Sequence, residues 1–316
     1  GGVGRLRRLA IRYQSSIRDP AALSLCRVVE DPRTALCYLD LTGCEIGGGG
    51  CVALCAALAQ NETLEVLLLG WNSLGREGGE ALADLLYAST PPLHRLDIPN
   101  TSLDTRSVVQ IYAALRGQTK LTELDMRRPL LFAQSADYAE CVSQMLGQNS
   151  CLTSLDIGGS RIGDDGAELL ATTLLKCRTL KILKVGANGI GLIGGEAFAK
   201  LLGSGNCALE ELDLSRNDIV DESASVIGHV LAENTTLQVL DLSDNSIANT
   251  GLTALGEGLN ENYTLLEFRL WGNDFPDAGS AVNTFHKIIE DSSRTVVLDI
   301  KTYVVDGKVK AAQSWR

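Results

Sequence analysis

Residues 209–219 read LEELDLSRNDI, and residues 237–247 read LQVLDLSDNSI. Both segments fit the template L-x-x-L-x-L-x-x-N-x-I. The template recurs, with some replacements, in nine segments that begin at Leu36, Leu64, Leu93, Leu121, Leu152, Leu180, Leu209, Leu237 and Leu265. Successive first leucines are 28, 29, 28, 31, 28, 29, 28 and 28 residues apart, so one structural unit repeats along most of the chain.

The template predicts a strand, a turn and a helix in every repeat. Leu-x-Leu places two apolar side chains on one face of a β-strand, because successive strand residues point to opposite sides. The asparagine follows where the chain turns, and its amide can bond backbone groups there. Apolar residues then recur at helical spacing, for example at Gly166, Leu169, Leu170 and Leu174, and at Leu252, Leu255 and Leu259. We therefore predict an α/β solenoid with a parallel sheet inside and helices outside.

The period and the Leu-Asp-Leu-Ser strands at 212–215 and 240–243 resemble the ribonuclease-inhibitor-like class of leucine-rich repeats. The resemblance covers essentially the whole chain and implies a horseshoe with a concave parallel sheet and convex helices. It leaves the function open, because this class includes enzyme inhibitors, the Ran GTPase-activating protein, innate immune receptors and ciliary scaffolds. Residues 270–273 (LWGN) and 303–309 (YVVDGKV) are similar to the end of one intracellular scaffold of this class, which implies a cytoplasmic, ciliary or nuclear protein.

The repeats predict a single leucine-rich-repeat domain over residues 1–316, with about ten repeats. A weaker first repeat begins at Leu6, and a final strand is expected at 296–300. The open end of a solenoid exposes its core and unpaired strand backbone. We therefore expect residues 295–316 to form a C-terminal capping strand and tail.

Acidic residues outnumber basic residues by 39 to 28, which gives a net charge of -11. Nucleic acids and anionic lipids bind clustered Lys and Arg, so we expect neither nucleic acid nor membrane as a partner. No apolar run is long enough to span a bilayer, and the start of the sequence lacks a signal-peptide pattern. These features predict a cytoplasmic protein whose partner is a protein with a basic surface.

The residue between the second and third template leucines should project from the concave face. At this position the repeats carry Asp40, Leu68, Asp97, Asp125, Asp156, Lys184, Asp213, Asp241, Arg269 and Asp299. Seven of these ten residues are aspartates, and Glu123, Glu211 and Glu267 lie two residues earlier in their strands. The aspartates are either a binding surface or a habit of the repeat class.

Trp71 and Trp271 follow two of the strands, and exposed tryptophan is enriched at binding hot spots. Alternatively, their rings pack on the solenoid itself. Our predicted partner-binding residues are Asp40, Trp71, Asp97, Glu123, Asp125, Asp156, Glu211, Asp213, Asp241 and Trp271.

The interval of 31 residues marks an irregular repeat in which Pro129 replaces the template asparagine. Its segment Arg127–Phe132 is either a basic, apolar docking loop or a tolerated insertion, since surface loops accept extra residues at little cost.

Four N-x-Ser/Thr sequons begin at Asn61, Asn100, Asn234 and Asn262. Asn61, Asn234 and Asn262 each precede a strand leucine by three residues. For these three we predict a left-handed conformation at a helix C-terminus rather than glycosylation.

No pattern indicates catalysis, a cofactor or a metal site. His94, His229 and His286 lie in different repeats, and the nine cysteines form no CxxC pair. The glycines at 47–50 and 194–195 precede helices, where a phosphate could bind, but no Lys-Ser/Thr follows, so we interpret them as tight-turn residues.

The sequence therefore favours a noncatalytic scaffold that binds a partner protein on the concave face. Two alternatives remain. The chain could be a GTPase-activating protein of the Ran-activator type, which would use loop residues such as Arg161 and Arg216, or the ligand-sensing fragment of an innate immune receptor.

Overall fold

The computed structural model describes residues 6–31, 33–130, 135–205 and 207–314, with the backbone alone for residues 135–136. The chain divides into two compact units, Gly1–Ser160 and Arg161–Arg316, here called the N-terminal and C-terminal units. In both units, short parallel strands alternate with helices. The predicted α/β leucine-rich-repeat solenoid is therefore confirmed. A single domain over residues 1–316 stays a prediction.

In the N-terminal unit, six strands pair in parallel in chain order. They are β1 (Arg8–Ala10), β2 (Tyr38–Asp40), β3 (Val66–Leu68), β4 (Arg95–Asp97), β5 (Glu123–Asp125) and β6 (Ser154–Asp156). The helices between them are α1 (Arg18–Glu30), α2 (Gly48–Leu58), α3 (Gly75–Ala88), α4 (Thr105–Leu115) and α5 (Ser135–Gln148).

In the C-terminal unit, five strands pair in parallel in chain order, and an antiparallel hairpin follows. The strands are β7 (Ile182–Lys184), β8 (Glu211–Asp213), β9 (Val239–Asp241), β10 (Glu267–Arg269), β11 (Val297–Leu298), β12 (Ile300–Val305) and β13 (Lys308–Gln313). The helices are α6 (Gly163–Leu174), α7 (Leu192–Gly203), α8 (Asp221–Leu231), α9 (Asn249–Glu261) and α10 (Ser280–Glu290).

The template leucines form the core. Leu212 and Leu214 are completely buried, as the strand alternation predicts. Burying one such side chain contributes about 2 kcal/mol, so the repeated leucines are the main source of stability. The helical pattern holds for Leu252 and Leu255, which are also completely buried, but Leu169 is 38% exposed and does not belong to the core.

Where a repeat has the template asparagine, this residue joins the repeat to the one before it. Asn217 Oδ1 accepts hydrogen bonds from the backbone N–H groups of Asn188 (2.8 Å) and Ile190 (3.1 Å) in the preceding repeat. Its Nδ2 donates to the carbonyl oxygens of Val185 (3.1 Å) and Leu214 (2.9 Å). The buried turn thereby obtains hydrogen-bond partners that water cannot supply. Equivalent bonds are made by Asn72, Asn245 and Asn273.

The irregular repeat replaces this link by tyrosines. Pro129 has no side-chain donor, and two buried tyrosines lie in the adjoining helices instead. The hydroxyl groups of Tyr112 and Tyr138 are 2.9 Å apart, and Ser160 Oγ donates to Tyr138 at 3.2 Å. Burial raises the pKa of Tyr138 to about 12, so both hydroxyl groups stay protonated and continue the polar link between these repeats.

The left-handed conformation predicted for three sequon asparagines is wrong. Asn262 has φ -88°, and neither Asn61 nor Asn234 has a positive φ. Their side chains are buried and bond the backbone instead. Asn61 Nδ2 donates to Val29 of the preceding repeat (3.0 Å), and its Oδ1 accepts from Leu64 (2.7 Å). Buried asparagines thus join neighbouring repeats at both ends of the helix.

The glycine pairs also differ from the prediction. Gly194 and Gly195 lie within α7, not in the turn before it. Asp164 Oδ1 accepts hydrogen bonds from the N–H groups of Gly191 (2.7 Å) and Gly194 (2.9 Å) at the start of this helix. A Cβ atom on Gly194 would lie 2.8 Å from that oxygen. A carboxylate from the preceding repeat therefore occupies the position that an anion would take at this helix N-terminus.

The tail forms more structure than the predicted capping strand. Residues 297–298 pair with β10, and β12 and β13 form a hairpin that contacts α10. Asp306 and Gly307, with φ 50° and 72°, form its two-residue turn. An Asp-Gly pair is a strong hairpin signal, because both turn residues require positive φ. The sequence analysis did not use this signal.

We predict that Asn217→Ala lowers the free energy of unfolding by about 3 kcal/mol, because buried backbone groups of two repeats lose their partner. Urea denaturation followed by circular dichroism measures this change. Asn260→Ala is the matched control, since its side chain is exposed and bonds only Glu261. Equal effects of the two substitutions would contradict the proposed link between repeats.

We predict that deleting residues 295–316 lowers the melting temperature by more than about 5 °C. The deletion removes buried Ile300 and the Asp299 carboxylate, which accepts hydrogen bonds from the backbone of Leu270 and Trp271. Differential scanning calorimetry measures the effect, with Val304→Ser at an exposed hairpin position as control. An unchanged melting temperature of a monomeric truncated chain would exclude a capping role.

Candidate functional site

In each unit, alternate strand residues form a sheet surface outside the leucine core. In β5, Leu124 is 2% exposed, whereas Glu123 and Asp125 on either side of it are partly exposed. Neighbouring strands pair in register, with Asp97 opposite Asp125 and Asp125 opposite Asp156. We call the surface formed by the first and third strand residues the open sheet face. It carries the carboxylates that the sequence placed on the concave side.

Arg127 lies between carboxylates of neighbouring strands. Its Nη2 atom is 2.6 Å from Asp125 Oδ2, and its Nε atom is 3.1 Å from Asp156 Oδ2. The hydrogen bond to Asp125 and the nearby negative charges raise the pKa of the Arg127 guanidinium. The sequence analysis assigned Arg127 to a separate loop, yet it belongs to the candidate site and relieves the repulsion between the two aspartates.

The same arrangement occurs at two other arginines. Arg95 Nη2 is 2.8 Å from Asp97 Oδ2, and its Nη1 is 3.3 Å from Glu123 Oε2. Arg269 Nη1 is 3.1 Å from Asp241 Oδ2, and its Nε is 2.9 Å from Glu267 Oε1. We call each set of two carboxylates and one arginine a carboxylate–arginine triad. Each triad keeps one surplus negative charge.

Burial affects how these carboxylates ionise. It raises the pKa of Asp97, and the ion pair with Arg95 opposes that effect. The aspartate side chains of the triads are 10–17% exposed, whereas the arginines are 42–49% exposed. This surface therefore presents guanidinium groups beside largely covered carboxylates, rather than a row of bare aspartates.

The sequence analysis expected Asp40 to be exposed, but it is buried. Its side chain is 1% exposed and pairs with Arg12, and its Oδ1 accepts a hydrogen bond from Thr42 Oγ1 at 2.7 Å. Burial alone raises the pKa of Asp40, but the hydrogen bonds from Thr42 and Arg12 outweigh it and lower the pKa. At this position the surface presents Arg12, which is 56% exposed, and we withdraw Asp40 as a partner contact.

The C-terminal unit holds Glu211 and Asp213 on β8. Lys184 Nζ on β7 is 2.8 Å from Glu211 Oε1. Asp213 Oδ1 accepts a hydrogen bond from the backbone of Ser215 at 2.8 Å, and Asp213 takes part in no ion pair among the described residues. Asp213 is thus a partly exposed carboxylate beside Lys184, which stands opposite it in register and pairs with Glu211.

A column of left-handed residues follows ten of the strands, each two residues after the third apolar template position. Its members are Tyr13, Gly43, Trp71, Asn100, Arg128, Gly159, Ala187, Arg216, Asp244 and Gly272, with φ from 52° to 89°. The sequence showed no sign of this column, because glycine fills only three of its ten places.

The two tryptophans are not equivalent in this column. Trp71 belongs to it and is 56% exposed. Trp271 comes one residue before Gly272 and is only partly exposed, and its backbone N–H donates to Asp299 at 3.0 Å. Trp71 therefore fits the predicted contact role, and Trp271 is also held by the tail.

The loop Arg127–Phe132 is described only as far as Leu130. Arg128 has φ 53°, and Leu130 is 47% exposed while its N–H donates to the Leu103 carbonyl at 2.8 Å. Leu131 and Phe132 lie outside the described residues. The docking role of this loop stays a prediction. So does the role of Arg161 and Arg216, which both have φ 56°, in the GTPase-activating alternative.

The histidines lie on different elements. His229 is exposed on α8, and His286 Nδ1 is 2.9 Å from Thr302 Oγ1. The described part of the chain contains no group of three or more His, Cys, Asp or Glu placed to hold a metal ion. Within the same residues, no helix has the length and apolar character needed to cross a lipid bilayer.

Comparisons with known proteins agree with this architecture. Residues 36–55, 60–83, 148–171, 176–199, 205–228 and 233–256 match the Leucine Rich repeat family. The ribonuclease inhibitor of Sus scrofa is 29% identical over 208 residues, which cover 66% of this chain and 39% of the inhibitor. That of Mus musculus is 27% identical over 221 residues, or 70% of this chain and 48% of the inhibitor. The chain folds as a leucine-rich-repeat solenoid and is similar to these inhibitors.

A second group of relatives contains additional domains. NACHT, LRR and PYD domains-containing protein 12 of Mus musculus is 29% identical over 251 residues, which cover 71% of this leucine-rich-repeat protein and 24% of the relative. The chain thus spans about a quarter to a half of these relatives' lengths. Among solved structures, an internalin from Listeria monocytogenes has 17% identity and a TM-score of 0.45, over 93% of this chain and 86% of the internalin.

We predict that Arg127→Ala lowers the free energy of unfolding of this leucine-rich-repeat protein by about 1 kcal/mol at low salt. The substitution leaves Asp125 and Asp156 on adjacent strands without their shared cation. High salt should shrink the loss, because it screens the repulsion. Urea denaturation at both salt concentrations measures this. Arg18→Ala, which breaks an exposed pair with Glu45, should have a smaller effect. A loss that is independent of salt would rule out an electrostatic role.

Proposed function

We propose that this chain is a noncatalytic protein-binding scaffold whose open sheet face takes up a partner with a basic surface. The observation that carries the proposal is the excess of carboxylates over cations in the carboxylate–arginine triads. In the triad around Arg127, one guanidinium faces Asp125 and Asp156. A lysine or arginine of the partner completes the charge balance there.

The shape of the charge pattern favours a protein partner. The triads around Arg95 and Arg127 occupy the adjacent strands β4, β5 and β6. Both therefore lie on one continuous surface, with strands about 4.8 Å apart. A folded protein can present two or three basic side chains at that spacing. The guanidinium groups of Arg95 and Arg127 restrict where those side chains can bind. Complementary charge of this kind gives specificity and a fast association rate.

The relatives support a protein target. The name of the ribonuclease inhibitors states that they act on a ribonuclease, which is a protein. The open sheet face of this chain carries partly exposed side chains of both charges, while its leucines are committed to the core. We infer from this that the chain binds by presenting a surface rather than by performing chemistry.

The test is comparative affinity purification of the wild-type chain and Asp125→Asn/Asp156→Asn, with the bound proteins quantified by mass spectrometry. Asparagine keeps the shape of aspartate and removes the charge. We expect partners with a basic surface to be depleted at least about tenfold with the variant, and the affinity of a purified partner to depend less on salt.

Asp165→Asn/Glu168→Gln is the control for net charge, because these two exposed residues lie on α6, away from the open sheet face. Circular dichroism checks that each variant folds. Recovery of the same partners at the same level with the folded triad variant would refute binding at these triads and direct attention to the loop 127–132.

A second candidate function rests on the relatives that contain a NACHT domain. Their alignment covers 71% of this chain. We propose as the alternative that the chain is the ligand-sensing repeat region of such a multidomain protein. Sequencing the complete reading frame decides this, since a nucleotide-binding domain in the same frame supports the alternative and its absence excludes it.

We also propose that the scaffold acts inside the cell, in the cytoplasm or in a ciliary or nuclear assembly. The support is the likeness of residues 270–273 and 303–309 to the end of leucine-rich-repeat-containing protein 34. Fluorescence microscopy of the tagged chain in ciliated cells tests it, and a purely diffuse cytoplasmic signal would contradict the ciliary and nuclear part.

A further inference from the structure

A second surface of the N-terminal unit has the opposite character to the triads. Its members are Arg8, Arg12, Tyr13, Tyr38, Val66, Leu68 and Trp71, here called the aromatic–arginine patch. They come from the open sheet face of the first three strands and from the loops that follow two of those strands. The proposed function does not use this patch.

The strand part of the patch is apolar where later strands are charged. Tyr38 pairs in register with Val66, and both are partly exposed. Leu68, also partly exposed, stands opposite Asp97 of the next strand. The strand β3 thus presents two aliphatic side chains on the open sheet face, one of them beside Tyr38.

The loop part adds two aromatic rings. Tyr13 and Trp71 are 68% and 56% exposed, and they lie two repeats apart in the left-handed column. Between them is Gly43, where a Cβ atom would lie 2.5 Å from the Tyr13 ring. The ring of Tyr13 therefore rests on the glycine, and its position is fixed before any partner arrives.

Both aromatic residues occupy a conformation that disfavours them. Tyr13 has φ 53° and Trp71 has φ 60°, whereas glycine, asparagine or aspartate fills half of this column. A bulky side chain at positive φ is strained, and such strain tends to persist at functional sites. All ten residues of this column have positive φ, so Tyr13 and Trp71 do not stabilise their own turns by standing there, while their exposed rings can contact a partner.

The charge presented by the patch is positive. Arg12 covers Asp40, so that the arginine is 56% exposed and the aspartate only 1%. Arg8 is exposed, its guanidinium lies 4.1 Å from the centre of the Tyr38 ring, and it forms no ion pair among the described residues. Aromatic rings together with arginine are the composition that is enriched in protein interfaces.

We propose that the aromatic–arginine patch is a second docking site, and that its occupant is an acidic protein segment carrying apolar anchor side chains. Carboxylates of the segment pair with Arg8 and Arg12, and its apolar side chains contact Trp71, Val66 and Leu68. The scaffold then has two surfaces of opposite charge and can hold an acidic and a basic partner at once.

The test is selection of a phage-displayed random dodecapeptide library on the full 316-residue chain. We expect the enriched peptides to combine an excess of Asp and Glu with aromatic or aliphatic residues. Fluorescence polarisation of the most enriched synthetic peptide should give an affinity that falls by about 10- to 30-fold in Trp71→Gly and in Arg8→Glu.

Trp71→Gly separates binding from packing. Glycine relieves the left-handed strain, so the melting temperature should stay the same or rise while peptide affinity falls. Ala187→Gly is the matched control, because Ala187 has φ 56° at the same place of another repeat. It should shift the melting temperature in the same direction and leave peptide affinity unchanged.

Three results would overturn the proposal: enriched peptides that are not acidic or no enrichment at all, equal binding by Trp71→Gly, or a marked fall in its melting temperature. The proposal would also be overturned if the wild-type chain self-associates, Trp71→Gly abolishes this self-association and no acidic peptides are enriched. The occupant of the patch would then be a second copy of the chain. Asp125→Asn/Asp156→Asn should keep peptide binding, which distinguishes this inference from the proposed function.

Discussion

The structure depends on one constraint, which is that every buried turn between a strand and a helix must find hydrogen-bond partners. Asparagine side chains such as Asn217 meet it by bonding the backbone of their own repeat and of the preceding one. Asn61 does the same after the helix. Because each of these side chains bonds two repeats, a single repeat is incomplete on its own.

The proposed partner binding depends on the strand side chains that this arrangement leaves outside the core. Strand alternation commits the template leucines inward, so the residues between them form a surface whose composition is free to vary. On β4–β6 that surface carries carboxylate–arginine triads with surplus negative charge. On β1–β3 it carries aliphatic and aromatic side chains beside arginines. One scaffold thereby presents two surfaces with different charge, and these are the two that we propose as contact surfaces.

Prediction succeeded where the pattern was local and failed where contact partners came from other repeats. The strand positions and inward leucines follow from spacing. Asp40 was expected to be open, but Arg12, 28 residues earlier, covers it. Arg127 was assigned to a loop, but it bonds carboxylates on two strands. The hairpin at Asp306 and Gly307 was a local signal that the sequence analysis could have used.

By itself, the sequence determined the leucine-rich-repeat fold, the repeat boundaries and the side of each strand that faces the core, because these depend on periodicity along the chain. The tertiary structure alone decided which carboxylates are paired, which helix N-termini are already occupied by an aspartate, and which loop residues adopt positive φ. The contacts of Arg12 with Asp40 and of Asp164 with Gly191 join residues about 28 positions apart, and no pattern within a single repeat contains that information.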